Sequence, residues 1–138
     1  MTIAVQFQPR TPTGTTLSSR KGVTATDPYG LTRMLMGEAL ERIDAARGHL
    51  ENGEPSQQHR LLQSAIMIID DLRAELDLGE GGAIAANVDN LYDYMCRRLR
   101  AADPRNGISA LNEVSHLLEA LRSAWMFMPA EVRAASRS

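Results

Sequence analysis

Cysteine is all but absent from this 138-residue chain, Cys96 being the only one. A single thiol excludes an internal disulfide framework and a cysteine-based zinc site. Aromatic residues are scarce at 4%, so the core must come from Leu, Ile, Ala and the seven Met residues. No stretch approaches the ~20 consecutive apolar residues that a membrane span requires. The opening MTIAVQFQPR has no basic stretch leading into an apolar one, so no secretory signal is expected. Period-two alternation is lacking too, which argues against a sheet protein. There is no basic excess either. Between Leu31 and Phe127 fifteen acids face ten bases, and the formal charge of the whole is -2. A net-acidic body argues against a nucleic-acid footprint. The expectation is a cytoplasmic protein with no nucleic-acid partner and no membrane insertion.

What is present fits one domain: 43% hydrophobic and 23% charged residues over 138 positions. Residues 1–26 are rich in Thr, with Ser, Gly and Pro, and show no sustained period, which predicts a flexible tail. Residues 128–138 read as a second, shorter tail, leaving a helical domain over 27–127. Asp27 is a suitable N-cap with Pro28 at the first helical position. Leu31, Leu35, Ala39, Ile43, Ala46 and Leu50 then recur at three- and four-residue steps. A second helix is expected from Ser56 to Leu78, with Leu61, Leu62, Ala65, Ile68, Ile69, Leu72 and Leu76 on its core arc. A third, from Gly82 to Ala102, carries Ile84, Val88, Leu91, Tyr92, Met95, Leu99 and Ala102. A fourth carries Leu111, Val114, Leu118, Leu121 and Trp125. Short breaks rich in Gly and Pro separate them. The spacing predicts an all-α fold, an antiparallel up-down four-helix bundle.

Chemistry-bearing patterns are few. Glu113-Val-Ser-His116 has the Glu-x-x-His spacing of di-iron bundles, but no second copy exists and both side chains fall off the core stripe. No metal site and no cofactor is expected. Cys96 has no His near it in sequence and reads as a packing residue. The glycines from Gly79 to Gly82 lack the Lys and Ser/Thr of a phosphate loop and read as a helix stop. Asp70, Asp71, Glu75, Asp77 and Glu80 lack a calcium-loop pattern and read as a solvated face. Arg97, Arg98 and Arg100 stand in the last turns of a helix, where cations complement the dipole. An enzyme is the weakest class. Apolar surplus is more informative: Met34, Leu40, Ile66, Met67 and Tyr94 fall outside the expected core arcs. Such positions mark a partner surface or a wider buried arc.

From Asp77 to Trp125 the chain resembles the FliS family of flagellar secretion chaperones. The resemblance rests on Leu76-Asp77, Gly81-Gly82-Ala83-Ile84-Ala85-Ala86-Asn87, Leu91-Tyr92-Asp93-Tyr94-Met95, Arg97-Arg98-Leu99 and Leu121-Arg122-Ser123-Ala124-Trp125. Asp27-Pro28 and Met34-Leu35 are similar to the family's opening of helix one. The chain departs from it at Leu35-Met36-Gly37-Glu38, where the family shows Leu-Tyr-Asp-Gly, and in a tail whose only aromatic is Phe7.

The resemblance implies a non-enzymatic cytoplasmic chaperone. It would bind the C-terminal segment of flagellin, prevent premature polymerisation and assist delivery to the flagellar type III export apparatus. A component of that apparatus is a further expected partner, and a homodimer through the same surface would compete with the client. The expected client contacts are Leu62, Ile66, Met67 and Ile69 on helix two with Leu91, Tyr94, Met95 and Arg98 on helix three. Here Ile66 is expected to be replaceable by Asp without loss of fold. The rival class is a small helical regulatory module binding a transcription or anti-sigma factor.

Overall fold

The computed structural model describes residues 28–129 and Val132. Asp27 and the expected tail 1–26 lie outside the described residues, as do 130, 131 and 133–138. Among the described residues four helices make up the body: α1 (Pro28–Glu51), α2 (Pro55–Ala74), α3 (Gly82–Ala101) and α4 (Gly107–Ala124). A single 3-10 turn, Trp125–Phe127, continues α4. No strand occurs among the described residues.

Cross-helix contacts set the direction of each helix. Arg33 reaches the Arg122 carbonyl while Arg47 reaches Ser115, so α4 runs against α1. Arg73 meets Asp89 and Asp93 while Asp70 meets Cys96 and Arg100, so α3 runs against α2. Each helix touches its two neighbours in a closed ring, α1 lying closest to α2 and α3 and α4 making the least extensive contact. The bundle is therefore antiparallel, as expected for helices joined by short loops.

Local chemistry ends each helix. At the close of α1, Gly53 takes φ +72°, its N–H donates to the Leu50 carbonyl and Glu54 N–H donates to that of His49. This is a Schellman stop, which needs a left-handed residue and so favours Gly. α2 stops four residues short of the expected Leu78. Glu75 and Leu76 N–H groups turn back to the Leu72 and Arg73 carbonyls, and Asp77 then accepts from Glu80 N–H at 2.9 Å. Gly81 follows under tight constraint. A Cβ there would stand 2.5 Å from the Ala85 Cβ and 2.7 Å from the Asp77 carbonyl oxygen, with Val132 behind it. In the α3–α4 loop Asp103 accepts from Arg105 and Asn106 N–H while Asn106 accepts from Asp103 N–H.

The core lies on the shared axis. Ile43, Ile69, Tyr92, Met95, Leu99, Leu111 and Leu118 are sealed there, joined by Met36 and Trp125. Val132, in the stretch expected to be a tail, is buried with them. On α3 the buried row is Ala85, Val88, Tyr92, Met95, Cys96 and Leu99, turned by about one residue from the expected stripe. The turn leaves Ile84 exposed and Leu91 half-buried.

Candidate functional site

Four of the eight expected client contacts are core residues. Leu62, Ile66, Ile69 and Met95 are buried, so none is an exposed contact of the free bundle. Ile66 is the clearest correction, at 3% exposure. α2 packs on one side against α1, through Ser64, and on the other against α3, through Asp70 and Arg73. Ile66, one turn before Asp70, falls on the row that faces α3. A helix with two neighbours buries a wider arc than a single stripe. Met67 points away from both neighbours and is 44% exposed.

Leu91, Tyr94 and Arg98, by contrast, share one half-buried face of α3. Ile84, Leu91 and Arg98 repeat at seven residues, with Tyr94 between them, so they line up along the helix. This face looks toward α4. Glu113 of α4 takes the Tyr94 hydroxyl on one carboxylate oxygen and the Arg98 Nε–H on the other, each at 2.6 Å. That pairing sets the level of the two antiparallel helices. The antiparallel register then puts Leu91 level with Leu117 and Leu118, while the Trp125–Phe127 turn packs against α1 and α4. Leu117 is half-buried, whereas Ala120 and Ala124 beside it are small and exposed. The α3–α4 seam thus carries a half-buried apolar strip, or trough, with a polar clamp at one end.

At its other end the trough opens onto a pole of the bundle. The starts of α1 and α3 and the ends of α2 and α4 meet there. Leu78, Ile84, Met126 and Phe127 are exposed at this pole, Phe127 to 81%.

Charge on the α2-facing side of α3 is spent internally. Arg73 bridges Asp89 and Asp93 across α2 and α3, and Arg97 joins Asp93 at 2.9 Å. The Arg97 guanidinium also lies 5.6 Å from the Tyr94 ring centroid. Arg100 approaches Asp70 at 3.8 Å. Each arginine of the Arg97-Arg98 and Arg100 group therefore has a carboxylate, which removes the basic patch that a nucleic acid would need. Hydrogen bonds from Tyr94 and Arg98 hold the Glu113 carboxyl below its ordinary range. The same bond to Glu113 pushes the Tyr94 hydroxyl up.

The remaining candidates resolve as packing. Burial, and secondarily the Asp70 charge, push the Cys96 thiol up to about 12, far from a nucleophile's range. Glu113 and His116 separate: His116 is exposed, while Glu113 turns to α3 rather than to solvent as expected. No group of side chains able to hold a metal ion occurs among the described residues. No helix among them is long and apolar enough to cross a membrane. Sequence reasoning missed Glu113, Leu117, Ile84 and Phe127 as site residues. The signal for Ile84 was available in its seven-residue spacing from Leu91 and Arg98.

Fold and surface together define an all-α four-helix bundle with half-buried and exposed apolar side chains along α3 and at one pole. The family model "Flagellar protein FliS" matches residues 14–132, and the chain belongs to the FliS family. It is 42% identical over 103 residues to the flagellar secretion chaperone FliSB of Pseudomonas aeruginosa, spanning 75% of this chain and 82% of that one. Its identity to the flagellar secretion chaperone FliS of Salmonella typhimurium is 41% over 110 residues, 79% of this chain and 82% of the other. The Bacillus subtilis flagellar secretion chaperone FliS is 31% identical over 110 residues, 80% and 81% of the two chains.

Proposed function

We propose that the protein is a cytoplasmic, non-catalytic secretion chaperone for flagellin. It covers the C-terminal segment of the unpolymerised subunit, blocks premature assembly and helps to deliver it to the flagellar export apparatus. Membership of a family whose relatives are flagellar secretion chaperones supports the role. What supports the α3–α4 seam as the client surface is the half-buried or exposed state of Ile84, Leu91 and Leu117 beside the Glu113 clamp, with Met126 and Phe127 exposed at the same pole as Ile84. Leu91, Tyr94 and Arg98 remain contacts in this reading, with Met67 on the outer face of α2 as a second apolar point. Leu62, Ile66, Ile69 and Met95 support them from beneath.

The physics suits a transient carrier. Segments that build helical contacts in a filament are apolar and prone to self-association when free. A helix placing anchors at i, i+3, i+4 and i+7 along the trough removes that surface from water. A specific complex needs burial of roughly 1,500 Å², and in this reading the client extends over the pole as well. Ordering the client costs several kcal/mol, which keeps affinity low enough for release. Two copies meeting through their troughs would form a dimer in competition with the client. Calorimetry with a synthetic peptide of the flagellin C-terminal segment tests the proposal. Saturable 1:1 binding, weakened at least tenfold by Leu91→Ser combined with Phe127→Ser, is expected. No binding by the unaltered protein would overturn it.

A further inference from the structure

We propose that Glu113 is the positioning residue of the client trough: it holds the Tyr94 ring and the Arg98 guanidinium in the one arrangement that leaves Leu91 accessible. The inference rests on the chaperone reading above and deepens it by assigning control of the site to a residue on the opposite helix.

Geometry carries it. Tyr94 and Arg98 stand one turn apart on α3, and a single carboxylate from α4 engages both, one oxygen each, at 2.6 Å. A two-point grip of this kind fixes orientation as well as distance. Tyr94 needs fixing because its ring sits beside Leu91, three residues away on the same face, and a freed ring has other staggered positions available. The two bonds to Glu113 are the side-chain hydrogen bonds described between α3 and α4. The grip is also tied to α2. Arg97 lies over the other side of the Tyr94 ring and is bound to Asp93, which Arg73 of α2 holds in turn. The ring is thus pinned at its hydroxyl from α4 and flanked at its face from α3. Glu113 side-chain atoms are 39% exposed and those of Arg98 30%, so the clamp borders the trough rather than lying beneath it.

The charged and titratable neighbours of Glu113 are limited. Tyr94 and Arg98 face it from α3, with Arg97 behind the ring. His116 stands one turn along α4 and is exposed. From α1, Arg47 reaches α4 at Ser115. With its carboxyl held low by Tyr94 and Arg98, Glu113 keeps the clamp closed at neutral pH and releases it only in acid.

The test compares full-length wild type, Glu113→Gln and Tyr94→Phe, with the synthetic flagellin C-terminal peptide as probe. Calorimetry is run from pH 7 down to pH 4, and thermal melting is followed in parallel. Tyrosine ionisation is read by absorbance in the free proteins. Glu113→Gln should bind the peptide about tenfold more weakly at pH 7. Wild-type affinity should fall toward that of the variant as the pH drops, whereas the ratio would stay constant if only the peptide's own carboxylates titrated. One tyrosine should ionise at lower pH in Glu113→Gln than in wild type, and Tyr94→Phe should lose that transition while sharing the binding defect. Should Glu113→Gln fail to fold, Tyr94→Phe supplies the affinity comparison, and binding equal to wild type overturns the proposal. Equal affinity of wild type and Glu113→Gln at pH 7 overturns the positioning role while leaving the chaperone reading intact. A wild type that ignores the peptide sinks both.

Discussion

Replacing Ile66 with Asp separates a core role from a contact role on α2. Ile66 is 3% exposed on the row that faces α3, one turn from Asp70. Truncating a buried Ile costs about 2–5 kcal/mol. Placing a carboxyl in the same space adds a desolvation cost of a few kcal/mol, or a proton taken up to avoid it. The total, about 5 kcal/mol, is comparable to the whole stability of a typical domain, about 5–15 kcal/mol. For a body of this size each kcal/mol moves the melting temperature by roughly 4 °C, so Ile66→Asp should melt about 20 °C lower or not fold. Met67→Asp, on the solvent side, should stay within about 0.5 kcal/mol of wild type. Circular dichroism melts of both variants, with peptide binding measured only where the helical signal persists, check this. If Ile66→Asp melts within about 2 °C of wild type, α2 does not bury the row assigned to it.

Glycine positions provide a second check. Gly81→Ala should cost about 3 kcal/mol because the Ala85 Cβ and the Asp77 carbonyl cannot yield, whereas Gly107→Ala meets only the end of the Leu50 side chain, 2.4 Å away but able to rotate, and should cost about 1 kcal/mol; equal melting temperatures would contradict the tight α2–α3 turn. Tyr92→Phe should be neutral or stabilising by about 1 kcal/mol, since the Tyr92 hydroxyl is buried without a hydrogen-bond partner; a clear loss of stability would show that the hydroxyl has one. Asp71 has its carboxyl pushed up by burial, and secondarily by the Asp70 charge. A raised acid costs stability while ionised, and the cost disappears as the pH falls through its folded value to below the ordinary carboxylate range. Asp71→Asn should therefore raise the melting temperature at pH 7, with the gain gone near pH 3; a gain that persists unchanged into acid would rule out this origin.

The four helices were legible because their apolar spacing is regular and their ends are chemically marked. Pro28, Gly53, Pro55, Gly82 and Gly107 all sit at helix boundaries. The rotation of each helix was less so. A helical wheel has no knowledge of how many neighbours a helix has, so Ile66 looked peripheral on α2, while Ile84 and Leu91 looked central on α3. Packing against α1 and α3 drew Ile66 inward, and the choice of Ala85 and Cys96 for the α3 core turned Ile84 out. Small residues at a close helix contact are easily mistaken for filler. The clamp is half legible: Tyr94 and Arg98 stand out in the sequence, but the spacing of Glu113 points to solvent, and nothing in one sequence pairs positions nineteen and fifteen residues away. Val132 was hidden in a stretch with too few apolar residues to show a period.

Amide exchange of the full-length protein, measured with and without the flagellin C-terminal peptide, bears most directly on where the client sits. Slowed exchange along α3 from Ile84 to Arg98, along α4 from Glu113 onward and in the Trp125–Phe127 turn is expected, with α1 unchanged. Protection confined to the α1–α2 side, or none at saturating peptide, would contradict the trough as the chaperone's binding surface.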